Sequence, residues 1–441
     1  MEITENKIPP SHLSIGPIGV LFLAVFIDLL EFGIIIPLLP FWTLELGATP
    51  FIYGILASVY SLMSFTFAPV WGWISDRWGR RPVILAGLFG TVLGLGMLSL
   101  AALIFIDSLT IILMSRLVGG AFTAATLPTS QAYIADTTSG QDRAKGFGLL
   151  GAAFGLGFAL GPGIGGVLSF IGGYALPAVF ATVIAIVNFL AAIKYLPESL
   201  TEEMRGRRKE IISQGASVKV SLRETLLQNP NVLLTIILFA GVSLAFSKMQ
   251  ATLALLGKVR FGLNESLAGL VFFVVGLVVI ITQAGLIIPL SNRFSDTTLI
   301  TAGIFFLIIG FIGLSTVTSL FEMSLWVIPL AFGSSISNPT IGAFLSKETP
   351  KENSGVILGL NQGIGSFMRI GGPLVGTALF ELDAAYPYYL GAFILIIGFL
   401  IAGILFLKTR SLLKENPCIQ CGFQIREGLT VCTRCGFNQR T

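Results

Sequence analysis

Long apolar stretches follow one another along almost the whole chain, separated by short polar loops. A helix needs about 20 mostly apolar residues to cross a bilayer. Runs such as "AGLVFFVVGLVVIITQAGLIIPL" are continuously apolar, whereas the strands of a membrane barrel alternate. The pattern therefore predicts an all-α membrane protein with twelve transmembrane helices. The predicted spans are 14–42, 51–74, 82–105, 108–134, 144–169, 174–196, 231–256, 265–290, 298–316, 322–345, 355–380 and 385–408.

Composition agrees with this pattern, because 54% of the residues are hydrophobic and only 11% are charged. Soluble domains average about 25% charged residues. With the N-terminus placed inside, the inner loops hold most of the Lys and Arg, while the outer loops hold only Lys258 and Arg260. We expect a multi-pass plasma-membrane protein in a lipid bilayer with both termini in the cytoplasm. The net charge of +4 then reflects sidedness, and no nucleic-acid partner is expected.

The chain shows a duplication. A shift of 211 residues pairs Pro128 with Pro339 and Pro162 with Pro373, and it also pairs glycines around them. Two six-span halves favour a transporter with its site near the membrane midplane. The predicted organisation is a cytoplasmic N-terminus (1–13), an N-terminal six-helix bundle (14–196), a cytoplasmic central loop (197–230), a C-terminal six-helix bundle (231–408), and a cytoplasmic linker with a cysteine-rich tail (409–441).

The loop after the second span reads "GWISDRWGRRPVI" and has an ordered spacing. It resembles the signature loop of the major facilitator superfamily. The resemblance implies the twelve-helix, two-bundle fold of that family and a gate at the inner face, in which Asp136 at the end of span four is the partner of a loop arginine. The predicted gating residues are Gly72, Asp76, Arg77, Gly79, Arg80, Arg81 and Asp136.

Further stretches resemble the drug/proton antiporter branch, of the tetracycline and multidrug resistance type. Asp28 opens its first-span motif, and "GLGFALGPGIGG" is similar to its fifth-span motif. In the second half, "PLSNRFSD" departs from the signature loop, with Asn292 and Ser295 in place of Asp and Gly, which weakens the case for a gate there. The predicted antiporter-motif residues are Gly157, Gly161, Pro162, Gly165 and Gly166.

Two acids, Asp28 and Glu31, lie within the first apolar span. A charged side chain at the bilayer centre costs roughly 2.5–3.5 kcal/mol on insertion scales. At a rise of 1.5 Å per residue, Glu31 and Arg116 both come out about 12–13 Å deep, so we expect Arg116 to face the acids in a hydrated cavity between the halves. Proton coupling is predicted for Asp28 and Glu31. A static ion pair, or a Glu31 that contacts cationic substrates, are the alternatives.

Two other charges lie in apolar segments. Lys248 is expected near the outer end of span seven, where its amine can reach the interface. Arg369 lies deep in span eleven, and intramembrane arginines mark functional sites. Arg369 is predicted either to contact an anion or to pair structurally with a carbonyl or an acid.

All four cysteines lie in the tail, as two C-x-x-C pairs separated by ten residues. This spacing is typical of a zinc ribbon, whose four thiolates bind one Zn²⁺; iron uses the same ligands in a rubredoxin-like site. Cytoplasmic thiols stay reduced, so disulfides are not expected. The tail is either a stabilised end or a docking module for a cytoplasmic protein. The predicted ligands are Cys418, Cys421, Cys432 and Cys435.

The sequence predicts a secondary transporter, coupled to protons, that exports small hydrophobic or drug-like molecules by alternating access. It shows no nucleophile triad, phosphate loop or nucleotide fingerprint, so no enzymatic activity is expected. Proton-coupled uptake of a metabolite, and a non-transporting receptor that signals through the zinc ribbon, are the alternative functions.

Overall fold

A computed structural model describes residues 17–104, 108–138, 140–200, 229–349 and 351–413. Within these ranges all regular secondary structure is helical, as the apolar pattern predicts. The helices of the first half are α1 (Pro17–Ile35), α2 (Leu39–Glu45), α3 (Pro50–Trp78), α4 (Arg80–Leu103), α5 (Leu109–Thr123), α6 (Thr126–Thr137), α7 (Gly140–Gly172) and α8 (Ala175–Tyr195). Those of the second half are α9 (Pro230–Phe261), α10 (Glu265–Ile280), α11 (Ile287–Arg293), α12 (Asp296–Thr316), α13 (Leu320–Glu348), α14 (Lys351–Leu382) and α15 (Tyr386–Leu413).

In the described part of the chain, 11 helical segments are long and apolar enough to cross a membrane. The eleventh predicted span, 355–380, is not among them. It forms the 32-residue helix α14, which is less apolar because it carries polar and charged residues such as Asn361 and Arg369. Helix α14 is long enough to cross a membrane but is more polar than the other spans. Twelve transmembrane helices are therefore consistent with the structure.

Three spans predicted as continuous helices are interrupted. The first breaks between α1 and α2 at Pro37, and the fourth breaks at Ala124 and Ala125, between α5 and α6. Proline removes the hydrogen bond to the carbonyl four residues before it, and Pro128 stands four residues after Ala124. The eighth span contains a π-helical turn, Ile281–Leu286, between α10 and α11. Such turns are common at functional sites.

The chain divides into two compact units. The first comprises the described parts of 1–36 and 62–216, and the second those of 37–61 and 217–441. In the first unit, α1 packs along α7 and α8, and a core of buried apolar side chains from α1, α4, α6, α7 and α8 includes Leu21, Ile84 and Tyr133. This packing continues past the end of α8, because Ser199 and Leu200 are buried in the predicted central loop.

In the second unit, α9 packs along α14 and α15, and α12 packs on α13 and α15. Val232, Ile236, Leu345 and Ile357 form a buried core there. Residues 37–61 belong to this unit because the first turns of α3 lie on α14. Ser58 donates a hydrogen bond to the carbonyl of Ile370 (2.8 Å), and Glu381 accepts one from the backbone of Phe51 (2.9 Å).

Candidate transport site

The two acids of α1 are both buried inside the first unit. Asp28 is 7% exposed and Glu31 is 1% exposed. Thr91 of α4 donates a hydrogen bond from Oγ1 to Oδ1 of Asp28 (2.9 Å). Asp28 therefore lies in a polar contact between two helices rather than against hydrocarbon, which lowers the cost of a carboxyl group at this depth.

The Thr91 hydroxyl has further partners, and they suit a carboxyl group that changes its protonation state. Its oxygen is 3.3 Å from the carbonyl of Gly87 and 3.3 Å from Oγ1 of Thr123. A hydroxyl donates one hydrogen bond and accepts two. Thr91 can donate to an ionised Asp28. When Asp28 is protonated, Thr91 can accept from it and donate to Gly87 instead. The hydrogen bonds of Asp28 are thus satisfied in both states.

Glu31 has a different environment. Neither of its carboxyl oxygens has a hydrogen-bond partner among the described residues. An ionised carboxylate buried without a partner carries a penalty of several kcal/mol, so the neutral acid is the form compatible with this conformation. The structure thus separates the two acids: Asp28 has a partner that serves both of its forms, and Glu31 is buried without one.

Arg116 lies in the middle of α5 and is buried. The contact with the two acids that the sequence suggested stays a prediction. Buried hydroxyls are also present on α5 and α6, among them those of Ser115 and Thr129. This part of the first unit therefore holds an arginine and hydroxyl groups in an otherwise apolar span.

The glycines of the antiporter motif bring α7 against the acid-bearing helix. A Cβ added at Gly157 would lie 2.7 Å from the carbonyl oxygen of Phe26, and one at Gly161 would lie 2.5 Å from that of Leu30. At Gly165 the added atom would collide with the carbonyl of Ile34. Residues four apart share a helix face, so these glycines form a smooth surface that lets the two backbones touch. Pro162 and Gly166 are buried on the same helix.

The second unit repeats this packing. A Cβ added at Gly372 would lie 2.9 Å from the backbone nitrogen of Lys248, and one at Gly376 would lie 2.5 Å from its Cγ. The shift of 211 residues pairs these two glycines with Gly161 and Gly165. The helix pairs α1–α7 and α9–α14 are therefore built alike.

The inner-loop residues gather around Arg80, which is 3% exposed. Its guanidinium contacts Asp76 (2.8 Å), Asp136 (2.9 Å) and the Ser75 hydroxyl. The structure thus places the loop arginine on the acid at the end of α6, as the family pattern implies. The gating role of this cluster stays a prediction.

Glu198 completes the cluster, and the sequence did not single it out. Its carboxylate accepts hydrogen bonds from the backbone nitrogens of Arg80 (2.9 Å) and Arg81 (3.2 Å) at the start of α4. A carboxylate is stabilised at a helix N-terminus. The sequence signal that could have identified Glu198 is its position directly after Pro197, where the apolar pattern stops.

The other loop residues have separate contacts. Gly79 has φ of 116°, which only glycine adopts readily, and it turns the chain between α3 and α4. Arg81 donates to the carbonyl of Ile193 (2.8 Å), and Arg77 lies over the ring of Trp73 (3.8 Å). A Cβ added at Gly72 would meet no described atom within 4 Å, so the described residues make no close helix contact at this position.

The second half has an ion pair of opposite polarity at the equivalent place. The same register pairs Asp136 with Lys347, and Lys347 contacts Asp296 of the divergent loop (2.6 Å). The loop thus supplies the anion and the end of the long helix supplies the cation. The Lys347 side chain is 65% exposed, so this pair is more solvated than that of Arg80.

The two remaining charged residues, Lys248 and Arg369, differ in their exposure. Lys248 is fully buried, so the expectation that it snorkels to the interface is wrong. The helix extends to Phe261, well past the predicted end of the span, which places Lys248 deeper than expected. Arg369 is exposed and donates to the Ser366 hydroxyl (2.7 Å). An anion-contacting role for Arg369 stays a prediction.

The four cysteines of the tail lie outside the described residues. Within the described ranges, no group of three or more His, Cys, Asp or Glu side chains could hold a metal ion. Zinc binding by the tail therefore stays a prediction.

Long apolar helices in two similarly packed units, with buried acids in one span, define a polytopic membrane transporter. The Major Facilitator Superfamily model matches residues 21–373 and 289–417. The chain is 31% identical over 364 residues to the tetracycline resistance protein, class C, of Escherichia coli, covering 82% of this chain and 89% of that protein. It is 28% identical over 382 residues to multidrug resistance protein 2 of Bacillus subtilis (strain 168), covering 85% and 91%. The chain therefore belongs to the major facilitator superfamily.

Solved structures show the same fold. The human organic anion transporter MFSD10 (TETRAN) aligns with a TM-score of 0.63 and 24% identity, covering 87% of this chain and 98% of that one. The peptide transporter POT in complex with sulfate aligns with a TM-score of 0.66 and 17% identity, covering 89% and 95%. At these identities the likeness concerns the fold alone.

Proposed function

We propose that this transporter exports small hydrophobic or drug-like molecules in exchange for protons. The observation that carries the proposal is the environment of Asp28. It is a buried carboxyl group whose partner, Thr91, can hydrogen-bond both of its protonation states. A group that must be loaded and unloaded in each cycle needs such a partner, whereas a static ion pair needs only one protonation state.

In this mechanism Asp28 carries the coupled proton. The carboxyl group takes a proton from the outer aqueous phase and, while protonated, donates a hydrogen bond to Thr91. It later releases the proton to the inner phase. Glu31, three residues further along α1, is the proposed contact for the substrate. Its unpartnered oxygens can accept hydrogen bonds from a polar group of the substrate or pair with a cationic one.

The glycine face between α1 and α7 serves the conformational step. Backbones that touch without interlocking side chains can slide past one another, so α1 can move with its acids at low cost. The cluster around Arg80 holds the inner end of α3 against α4 and α6 in one state of the alternating-access cycle. Breaking the contact between Arg80 and Asp136 would free that end.

The substrate class follows from the relatives, which include tetracycline, quinolone and multidrug resistance proteins. We therefore choose tetracycline, a quinolone and ethidium as probes. Everted membrane vesicles from a pump-deficient host should accumulate at least one probe when energised by a proton gradient. An uncoupler should abolish this accumulation.

Two variants make the vesicle experiment specific. Asp28→Asn should abolish accumulation, and Asp383→Asn, which changes an exposed acid in the turn before α15, should leave it intact. Accumulation only in right-side-out vesicles would indicate uptake and contradict export. Specific probe binding without accumulation in either orientation would contradict transport altogether.

We also propose that Cys418, Cys421, Cys432 and Cys435 bind one Zn²⁺ in the cytoplasm, with both chain termini on that side. The support is the spacing of the cysteines and the distribution of basic residues between loops. The zinc would hold the short tail folded, since so small a segment has little apolar core of its own. A docking role for a cytoplasmic protein would use this folded tail.

A further inference from the structure

Lys248 is a fully buried lysine in the middle of α9. Its Nζ has no hydrogen bond or ion pair with any described residue. Membrane-buried lysines ordinarily extend their flexible stem toward the interface or pair with an acid. Lys248 does neither. It is separated from the end of its helix at Phe261 by 13 residues at a rise of about 1.5 Å each, so the interface is far away.

The surroundings of Lys248 explain its burial. Gly372 and Gly376 of α14 lie directly against it, and any side chain at those two positions would collide with it. One turn further along α9, Thr252 is hydrogen-bonded to the hydroxyl of Tyr388 of α15 (3.2 Å). The backbone and stem of Lys248 are thus packed against glycines, and the hydrogen bond on the adjacent turn joins two neutral groups.

Among the residues with described side chains, no charged group that packs against α9 compensates Lys248. The buried hydroxyl of Tyr388 is a titratable group that a hydrogen bond joins to α9, through Thr252 one turn from Lys248. The charged groups on the elements around α9 that have described side chains form no hydrogen bond or ion pair with Lys248: Glu45 of α2, Glu265 of α10, Glu322, Lys347 and Glu348 of α13, Arg369 and Glu381 of α14, and Lys408 of α15.

An ammonium ion enclosed in this way carries a large desolvation penalty with nothing to offset it. The neutral amine is therefore the form that fits this conformation. Once the amine reaches water in another conformation, it takes up a proton, and it must lose that proton as it is enclosed again. The burial of Lys248 is in this way linked to the release of one proton.

We propose that Lys248 is a second proton-carrying group of the transporter, neutral in this conformation and protonated when α9 and α14 separate. The inference rests on the proposed proton-coupled function and extends it to the second unit. The placement parallels that of Asp28, because each group lies on the helix that touches a glycine face, α7 in one unit and α14 in the other. In each cycle the amine binds one proton from the outer phase and releases it to the inner phase.

The experiment measures how many protons are exchanged per substrate in proteoliposomes, from the proton gradient at which net flux of the probe reverses. Lys248→Met keeps the length and apolar stem but cannot bind a proton. We expect its proton count to fall by one while downhill equilibration of the probe persists. Lys248→Arg keeps a permanent charge that cannot be enclosed, so we expect it to lose both activities. Lys258→Met, at the outer end of the same helix, is the matched control and should behave as wild type.

A Lys248→Met variant with an unchanged proton count would overturn the inference and leave the proposed function standing, because Lys248 would then be a packing residue. A wild-type protein that moves the probe without any protons would instead contradict the proposed function itself. If Lys248→Met fails to insert, the ¹³C NMR signals of ¹³Cε-labelled lysine in the wild-type protein still test the inference. One lysine in the neutral form at pH 7.5 supports the inference, and all lysines in the ammonium form contradict it.

Discussion

Replacing Gly161 with alanine should push α1 away from α7. The new Cβ would lie 2.5 Å from the carbonyl oxygen of Leu30 and 2.7 Å from Cα of Gly33, whereas ordinary contacts begin at 3.4 Å. Both obstacles are backbone atoms, so neither can rotate out of the way. Local separation of the two helices by about 0.9 Å is then the only relief.

Inserting extra atoms into a packed interior typically costs about 1–3 kcal/mol. We expect Gly161→Ala to lower the stability of the first unit by about that amount. We also expect a reduced proton flux, because Asp28 lies on the stretch of α1 that is displaced. Helix propensity works in the opposite direction, since alanine is about 0.5–1 kcal/mol better than glycine in a helix.

Gly96→Ala in α4 is the matched control, because a Cβ there meets no described atom within 4 Å. Thermal unfolding of the purified variants in detergent, together with proton flux in proteoliposomes, makes the comparison. Gly96→Ala should be as stable as wild type or slightly more stable, and Gly161→Ala should unfold several degrees lower. Equal midpoints for the two variants would refute the packing argument.

Three further predictions concern other parts of the chain. Asp76→Ala removes one contact of Arg80 and should increase the labelling of engineered cysteines at the inner face by thiol reagents; unchanged labelling would contradict a gate. Reversing one charge of the exposed pair Asp296–Lys347 should cost at most about 1 kcal/mol of stability and should slow transport. Reversing both charges should restore stability and transport. A double variant no better than the single variants would exclude a functional pair. Elemental analysis should find about one zinc per chain, and none in Cys432→Ser or in a chain ending at Glu415; zinc retained in the shorter chain would place the metal elsewhere.

The apolar pattern was sufficient to predict the helical fold because a bilayer demands long apolar segments that satisfy their own hydrogen bonds. It was less informative about where a span breaks. Pro128 lies just after the break between α5 and α6, whereas its counterpart Pro339 lies inside the continuous helix α13. Whether a proline breaks a helix or bends it depends on neighbouring groups that can donate a hydrogen bond to the freed carbonyl, and the local sequence does not show which groups lie there.

The residues of the candidate site divide in a similar way. The spacing of the inner loop was enough to anticipate the contact of Arg80 with Asp136, since the family pattern carries that pairing. Thr91 and Glu198 were missed because a threonine in a span and an acid at the edge of a loop look ordinary until the fold places them beside Asp28 and Arg80. Lys248 was misjudged because a lysine's burial depends on the residues that pack over it.

Proton coupling through Asp28 can be tested by measuring substrate-driven proton flux in proteoliposomes. The purified protein is reconstituted with a pH-sensitive dye inside, and a transported probe is then applied as a gradient. With the probe applied outside, wild-type protein should alkalinise the lumen as the probe enters in exchange for protons, and Asp28→Asn should show no probe-driven change at equal expression and insertion. Proton flux that persists unchanged in Asp28→Asn would show that Asp28 does not carry the coupled protons.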